Sequence, residues 1–327
     1  MDATATGSAP RPIFSGPVTT PVLPAATVVV LRDGDGGLEV LMLRRHARSD
    51  VLGGAFVFPG GKLDAADRAV ALSGRLDDSA AALHARLGEP QLDAVQAAAL
   101  FVAACRETLE ESGVLFARDA DAATALHVRD EVCRARSFDA VLDALALRLD
   151  TGALVPWTRW VTPRVPAMMS RRFDARFFVA RLPDGQQARH DDHEATESLW
   201  LRPTVAIERY RRREIVLAPV QLMSLVHLAR HSSSASVLDE ARSRRPPLIE
   251  PEPYEENGVR AIAYPGHPRH PVRERAIPGP DCLVLRGELF EPPTGFDSLV
   301  GDDADRFALP RSGASRRQAP LTGSGTE

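Results

Sequence analysis

The sequence predicts a protein of the α/β class, because two kinds of pattern alternate along the chain. Runs of β-branched, aromatic and aliphatic residues, such as 25–31 and 173–182, are typical of buried strands. Between them lie longer stretches rich in alanine and leucine, above all 92–112, which favour helix. A chain of 327 residues can form one large domain or two small ones.

The first half of the chain predicts a hairpin followed by helices. Residues 25–31 and 38–43 are strand-like, and the Asp-Gly-Asp-Gly-Gly stretch at 33–37 is a turn signal between them. A short strand at 55–58 leads into Pro-Gly-Gly-Lys. We expect three helices after it, at 92–112, 120–133 and 138–149.

The second half predicts further strands, then helices, then a change of composition. We expect strands at 158–162, 173–182 and 198–201, and helices that begin at Pro203 and Pro219. The predicted organisation is a disordered N-terminus (1–22), a main domain (23–232), a C-terminal extension packed on it (233–310) and a disordered tail (311–327).

Composition excludes several classes of function. The net charge is −4 and the basic runs at 211–213 and 242–245 are short, so no nucleic-acid surface is expected. No apolar run approaches the roughly 20 residues of a membrane span, and no leader sequence is recognisable. The three cysteines are widely spaced, which favours a reducing compartment, and we expect a cytoplasmic protein.

An acidic cluster ends the longest predicted helix. Glu107 and Glu111 are one turn apart with Glu110 beside them, and Gly113 is a natural helix stop. Like charges on one helix face repel each other, and negative charge at a helix C-terminus opposes the helix dipole. Because a bound cation would reverse both effects, this cluster is a candidate metal site.

The acidic cluster is part of a longer motif. Gly61 and Asp67 form Gly-x5-acid, and 106–114 reads Arg-Glu-Thr-Leu-Glu-Glu-Ser-Gly-Val. Together they resemble the Nudix box, G-x5-E-x7-R-E-U-x-E-E-x-G-U, where U is aliphatic. Asp67 stands in place of the first glutamate, and Thr108 occupies an aliphatic position. Between Asp67 and Arg106 lie 38 residues, 68–105, where the pattern has seven, which is an insertion of 31.

The insertion itself resembles one branch of the Nudix hydrolase family. Peroxisomal-type coenzyme A diphosphatases carry a long insertion at this place, after Gly-Gly and a Leu-Asp-x-x-Asp that 63–67 reproduces. Residues 160–163, 172–178 and 198–200 match the same branch, and the resemblance covers about 24–230. It implies an α/β/α sandwich with a mixed β-sheet, here with helical insertions and a C-terminal extension.

The resemblance implies roles for individual residues. Glu107, Glu110 and Glu111 are implied metal ligands, and Gly61 offers a backbone carbonyl. The implied cofactor is Mg²⁺ or Mn²⁺, which takes oxygen ligands and serves diphosphate hydrolysis. Arg106 is expected to bind a carboxylate and hold the loop to the helix.

The general base is left open between several carboxylates. Glu110 is one candidate, and Glu194, six residues before Trp200, and Glu197 lie in a segment that supplies a ligand or base in several family members. The His-Asp-Asp-His stretch at 190–193 fits a solvated loop better than a transition-metal site. Arg44, Arg45 and Arg172 are weaker candidates for phosphate contacts, on charge alone.

We therefore expect a metal-dependent hydrolase of a diphosphate linkage in a small-molecule nucleoside diphosphate derivative, with coenzyme A or acyl-coenzyme A as the leading substrate. A nucleotide-sugar, dinucleotide or NADH-type pyrophosphatase is the alternative within the class. A Nudix-fold module that senses a nucleotide is the alternative of another class, against which the intact glutamates argue. The pattern leaves open whether the protein is a homodimer.

Overall fold

The computed structural model describes residues 21–49, 52–134, 137–164, 171–190 and 195–300. The two segments predicted to be disordered, 1–22 and 311–327, lie outside the described residues, except for positions 21 and 22.

A mixed β-sheet is the centre of the molecule. Its eight strands are β1 Leu23–Gly34, β2 Gly37–Arg45, β3 Phe56–Val57, β4 Gly60–Lys62, β5 Val155–Val161, β6 Phe173–Arg181, β7 Ala195–Leu201 and β8 Leu248–Ile249. The strand order is β3-β2-β1-β6-β5-β8, with β4 paired to β1 and β7 paired to β2. The pairs β1–β6 and β5–β8 are parallel, and the other pairs are antiparallel.

Helices and a second, smaller sheet surround this centre. The helices are α1 Ala65–Leu72, α2 Ala80–Leu87, α3 Ala94–Ser112, α4 Ala122–Cys133, α5 Phe138–Ala144, α6 Pro203–Arg211, α7 Pro219–Leu228, α8 Ser234–Ser243 and α9 Asp297–Val300. The small antiparallel sheet is formed by β9 Glu252–Glu256, β10 Val259–Ala263, β11 Cys282–Arg286 and β12 Leu289–Glu291.

The main sheet is covered on both faces. Alternate residues of β1 point to opposite sides: Val28 and Val30 belong to a core shared with α1–α5, whereas Val29 and Leu31 belong to a core shared with α6–α8 and the small sheet. Burial of both faces explains why β1 is an uninterrupted apolar run. The predicted α/β class with a mixed sheet is confirmed.

Helix α3 lies in the first of these cores. The Asp93 carboxylate caps it by accepting a 2.7 Å hydrogen bond from the Gln96 amide, and Gly113 ends it in the left-handed conformation, as predicted. Alanines from 97 to 104 are fully buried, and small side chains allow neighbouring elements to pack close to the helix axis. Burial raises the pKa of the Cys105 thiol, in keeping with a packing role.

One predicted helix is shorter than expected. The stripe of leucines at 142, 145 and 149 predicted a helix over 138–149, but α5 ends at Ala144. Ala146 has a φ of +51°, which breaks the helix, and the chain then turns so that Leu149 forms bridges with Leu76 and Ala117. Leu149 is therefore buried through strand-like pairing, and its helical spacing from Leu142 is coincidental.

The C-terminal residues pack against the main sheet. Strand β8 adds to the edge at β5, with Ile249 opposite Trp160, and the small sheet contributes Ile262 and Leu283 to the second core. Helix α8 was not predicted, because its serine-rich start resembles a linker. The Asp33 carboxylate anchors that start through hydrogen bonds of 2.7 and 2.6 Å from the Ser234 amide and hydroxyl.

No helix within the described ranges is long and apolar enough to cross a membrane.

A histidine–carboxylate clasp joins α7 to α8. Glu240 accepts hydrogen bonds of 2.9 Å from His227 Nε2, 2.7 Å from His231 Nε2 and 2.7 Å from Arg244 Nε. Burial lowers the pKa of His227 and outweighs the opposing hydrogen bond and charge of Glu240. The folded state therefore favours neutral His227.

This clasp predicts acid sensitivity at mildly acidic pH. Below a pH of about 6.5, His227 is protonated in the unfolded chain but is held neutral in the folded protein. The free energy of unfolding therefore falls as pH falls, by up to about 1.4 kcal/mol per pH unit. Urea unfolding between about pH 7.5 and pH 5.5 measures this slope. We expect His227→Asn to reduce the slope and His127→Asn, an exposed position on α4, to leave it unchanged. Equal slopes in all three proteins would contradict the assignment.

Candidate active site

The glycine loop and the acidic helix end meet at the edge of the sheet. Strand β4 pairs with β1, with Gly61 opposite Ala26, and the Gly60 amide donates a 2.9 Å hydrogen bond to Glu111 Oε2. A Cβ atom at position 61 would overlap the Glu107 carboxylate, so a side chain there would displace this carboxylate from its present position. Two motif halves that are distant in sequence thus meet here, and we call Gly61, Glu107, Glu110 and Glu111 together the cradle.

Arg106 connects the parts of this cradle. Its Nε and Nη2 atoms donate to the two oxygens of Asp67 at 2.8 and 3.0 Å, a bidentate pair. Its Nη1 atom donates to Glu107 and Glu110, both at 2.8 Å, and Nη2 also reaches the Lys62 carbonyl at 3.2 Å. One guanidinium therefore touches the glycine strand, the first turn of α1 and the last two turns of α3.

The environment of Arg106 is that of a buried charge, in contrast to a surface ion pair. The residue is 8% exposed and its partner Asp67 is 1% exposed. Burial opposes the charge on Arg106, but the hydrogen bond to Asp67 and the charges of Glu107 and Glu110 outweigh it and raise the pKa of the guanidinium. Arg106 stays protonated at any pH at which the protein folds.

The residues of the cradle fit a divalent cation. Glu107, Glu110 and Glu111 offer carboxylate oxygens and Gly61 offers a carbonyl, and an oxygen-only donor set suits Mg²⁺ or Mn²⁺. The Glu107 and Glu111 side chains are 13% and 6% exposed, whereas that of Glu110 is 35% exposed. Arg45 also approaches the cradle, with its Nη1 atom 3.6 Å from Glu111 Oε1.

The insertion between the motif halves is folded against helix α3. Residues 68–105 form most of α1, all of α2 and the first turns of α3, and both α1 and α2 pack on α3. Ser79 caps α2 by accepting a hydrogen bond from the Ala82 amide. The insertion thus lengthens the helix that carries Arg106 and the glutamates, and it leaves the cradle intact.

The substitution at Thr108 is explained by its surroundings. The residue is fully buried, and its hydroxyl donates a 2.7 Å hydrogen bond to the Ala104 carbonyl one turn earlier. The polar atom is thereby satisfied, and the methyl group takes the place of an aliphatic side chain.

A large cavity opens beside the cradle. It has a volume of about 470 Å³, within the range of small-molecule sites. Charged residues of the cradle region line one part of it, namely Arg45, Lys62 and Glu107. Apolar and aromatic side chains form most of the rest, including Val57, Phe58, Trp160, Phe173, Phe177, Val220, Ile262 and Tyr264.

Other predicted site residues lie elsewhere or outside the described ranges. Arg44 and Glu197 face each other on β2 and β7, with 3.7 Å between Nη1 and Oε2 and both side chains partly exposed. Glu194 lies outside the described residues, as do 191–193. His190 Nδ1 lies 3.3 Å from the Ser198 hydroxyl. The catalytic roles of Glu194 and Glu197 stay predictions.

The arginines predicted to bind phosphate differ in their surroundings. Arg45 lines the cavity beside the cradle. Arg172 donates to the Thr162 carbonyl at 3.0 Å and to Glu250 at 3.3 Å, so its charge already has a protein partner. Its neighbour Arg171 lines the cavity instead and is exposed.

The part of the cavity formed by C-terminal residues was not predicted from the sequence. Ile262 and Tyr264 follow the motif by some 150 residues, and apolar side chains in a short strand are indistinguishable from ordinary core residues. Trp160 was part of the matching segment 160–163, but its contact with the cavity follows only from the pairing of β5.

Comparisons with known proteins agree with this geometry. The chain is 28% identical over 225 residues to the acyl-coenzyme A diphosphatase NUDT19 of Xenopus laevis, covering 58% of this chain and 59% of that protein. It is 29% identical over 233 residues to the Homo sapiens protein of the same name, covering 60% and 62%. The chain thus matches about six tenths of the length of these curated relatives.

A crystal structure and a family profile complete the comparison. The structure of a Nudix hydrolase from Alicyclobacillus acidocaldarius superposes with a TM-score of 0.55 and 29% identity, over 70% of this chain and 98% of that one. The profile of the NUDT19 Nudix domain matches residues 19–228. A match over more than half of the chain, with the Nudix box assembled in space, shows that this protein belongs to the NUDT19 Nudix domain family of Nudix hydrolases.

Proposed function

We propose that this protein is a metal-dependent diphosphatase that hydrolyses coenzyme A or its acyl derivatives. The observation that carries the proposal is the acidic cradle of Glu107, Glu110, Glu111 and Gly61, of which Glu107 and Gly61 line a cavity of about 470 Å³. The names of the relatives, acyl-coenzyme A diphosphatases, support the same substrate class.

The lining of the cavity supports this substrate over the alternatives. Arg45 and Lys62, together with the exposed Arg171, supply positive charge for phosphate groups. The remainder is mostly apolar and suits a long arm with few charges. Its polar side chains, Thr27, Thr162, Gln221 and Tyr264, are few for the many hydroxyl groups of a nucleotide sugar or a dinucleotide. Coenzyme A combines a nucleoside diphosphate with such an arm.

The reaction is the addition of water across a phosphoric anhydride. Water oxygen bonds to one phosphorus, the bridging P–O bond breaks, and two phosphate monoesters leave while the proton of water passes to a base. A divalent ion, when bound, would neutralise charge on the phosphates and make water easier to deprotonate. Glu107 and Glu111 are proposed to hold it, with Glu110 and the Gly61 carbonyl completing the protein ligands.

We assign Arg106 as a positioning residue and Glu110 as the first candidate for the base. Arg106 donates to both Glu107 and Glu110 at 2.8 Å and so fixes the direction of two carboxylates. Glu110 is the most exposed of the three glutamates, which gives its carboxylate access to water. Glu194 and Glu197 remain the other candidates, and Arg44 and Arg172 remain proposed phosphate contacts of lower rank.

Several finer points belong to the same proposal. We propose Mg²⁺ or Mn²⁺ as the ion, on the oxygen donor set of the cradle. We also propose a cytoplasmic location, supported by free cysteines at 105, 133 and 282, and a catalytic domain 23–232 with the extension 233–310 packed on it. A homodimer stays a prediction that light scattering can decide.

Removing one carboxylate charge tests the cradle. Glu111→Gln keeps an acceptor for the Gly60 amide but removes an anionic ligand, so we expect hydrolysis with Mg²⁺ to fall by at least about a hundredfold with little change in thermal stability. Glu288→Gln, in the exposed turn between β11 and β12, is the matched control and should keep full activity. Full turnover by Glu111→Gln would refute the metal site.

The pH dependence of kcat/KM distinguishes the three candidate bases. Replacing the base by glutamine should remove the acidic limb of the profile and lower the rate by about 10²–10⁴-fold. We expect this for Glu110→Gln, and a preserved acidic limb for Glu194→Gln and Glu197→Gln. If only one of the latter two loses the limb, that residue is the base and Glu110 is a ligand alone.

A panel of diphosphates tests the reaction class. We expect hydrolysis of coenzyme A and acyl-coenzyme A with Mg²⁺ or Mn²⁺, no reaction with excess EDTA, and weaker turnover of NADH, ADP-ribose, diadenosine polyphosphates and nucleotide sugars. Product analysis should show two phosphate monoesters. Binding of a nucleotide without hydrolysis of any panel member would favour the sensing module.

A further inference from the structure

The strand register connects the cradle to the C-terminal extension in one row. Across the main sheet, Lys62 of β4 lies opposite Ala25, Ala25 opposite Ala175, Ala175 opposite Trp160, and Trp160 opposite Ile249 of β8. Four interstrand spacings of about 4.8 Å separate the two ends, so the row is roughly 19 Å long. Residues paired in register face the same side, and that side carries the cavity.

The far end of the row is closed by residues of the extension. Pro251, Ile262 and Tyr264 line the cavity there, and we call these three residues the C-terminal wall. The Tyr264 ring packs edge-on against Trp160, with ring centroids 6.1 Å apart. The wall lies beyond residues 19–228, the segment that matches the Nudix domain of the family.

The chemistry of the cavity changes along the row. The charged groups that line it, Arg45, Lys62 and Glu107, belong to the cradle region, and Arg171 is exposed. The C-terminal wall contributes a proline, an isoleucine 5% exposed and a tyrosine 1% exposed. Apart from the Tyr264 hydroxyl, which has no hydrogen-bond partner among the described residues, the side chains of this wall are apolar. A charged or heavily hydroxylated group placed against it would lose its hydration for at most one side-chain partner, whereas an apolar chain would gain burial.

We propose that the C-terminal wall determines the specificity for the second arm of the substrate, selecting a long uncharged arm and setting the length of the acyl chain that fits. This inference rests on the proposed diphosphatase function, because the diphosphate fixes where the arm begins. The cradle performs the hydrolysis, and residues 251–264 decide which diphosphates reach it productively.

The test is the dependence of kcat/KM on acyl length. The wild-type protein, Ile262→Ala and Ile262→Phe are each assayed with five substrates: free, acetyl, butanoyl, octanoyl and dodecanoyl coenzyme A. Ile277→Ala is the matched control, since Ile277 is also 5% exposed and belongs to the same core, yet does not line the cavity. Ile262→Val, which removes one methylene, replaces Ile262→Ala if that variant is unstable.

We expect Ile262→Ala to move the preferred length toward longer chains and Ile262→Phe toward shorter ones. The octanoyl-to-free ratio of kcat/KM should fall by roughly tenfold in Ile262→Phe, the scale of a methylene mismatch in an apolar pocket. Ile277→Ala should keep the wild-type profile even if its overall rate is lower.

Two negative results have different meanings. Normal hydrolysis with a length profile that no Ile262 variant shifts would overturn the role of the C-terminal wall and leave the diphosphatase function standing. Failure of the wild-type protein to hydrolyse any diphosphate would overturn the proposed function and, with it, this inference.

Discussion

The buried ion pair between Arg106 and Asp67 is the contact on which the site depends. Both side chains are almost inaccessible to water, and each oxygen of Asp67 receives a guanidinium N–H. Removing one partner of such a pair typically costs about 3–5 kcal/mol, since the other charge stays buried without compensation. The same guanidinium orients two glutamates, so the stability of the fold and the geometry of the cradle share one interaction.

This arrangement resolves the apparent conflict of charges at the end of α3. Three carboxylates in the last two turns repel one another and oppose the helix dipole. Arg106 offsets part of that repulsion from within the helix, and the Gly60 amide offsets another part from the neighbouring strand. A divalent ion bound beside the three carboxylates, as we propose, would offset their repulsion further.

Local patterns were sufficient to predict much of the fold and the acidic half of the site. The ends of α3 follow from Asp93 and Gly113, whose effects are confined to one helical turn. The end of α5 was not predictable. Leu149 has helical spacing from Leu142, but it pairs with Leu76 and Ala117, which are distant in sequence. The cavity wall was not predictable either, since the tertiary packing of the extension on β5 brings its residues to the cavity.

The separation of β4 from β8 by three intervening strands has an evolutionary consequence. The acidic cradle belongs to β4 and the end of α3, whereas the apolar wall belongs to a segment that joins the sheet at its β5 edge. If the wall selects the substrate as we propose, sequence change in that segment would alter which substrates are accepted without touching the cradle. The two regions would then be under separate selection, and chimeras between relatives that differ after β8 would be a route to changed substrate ranges.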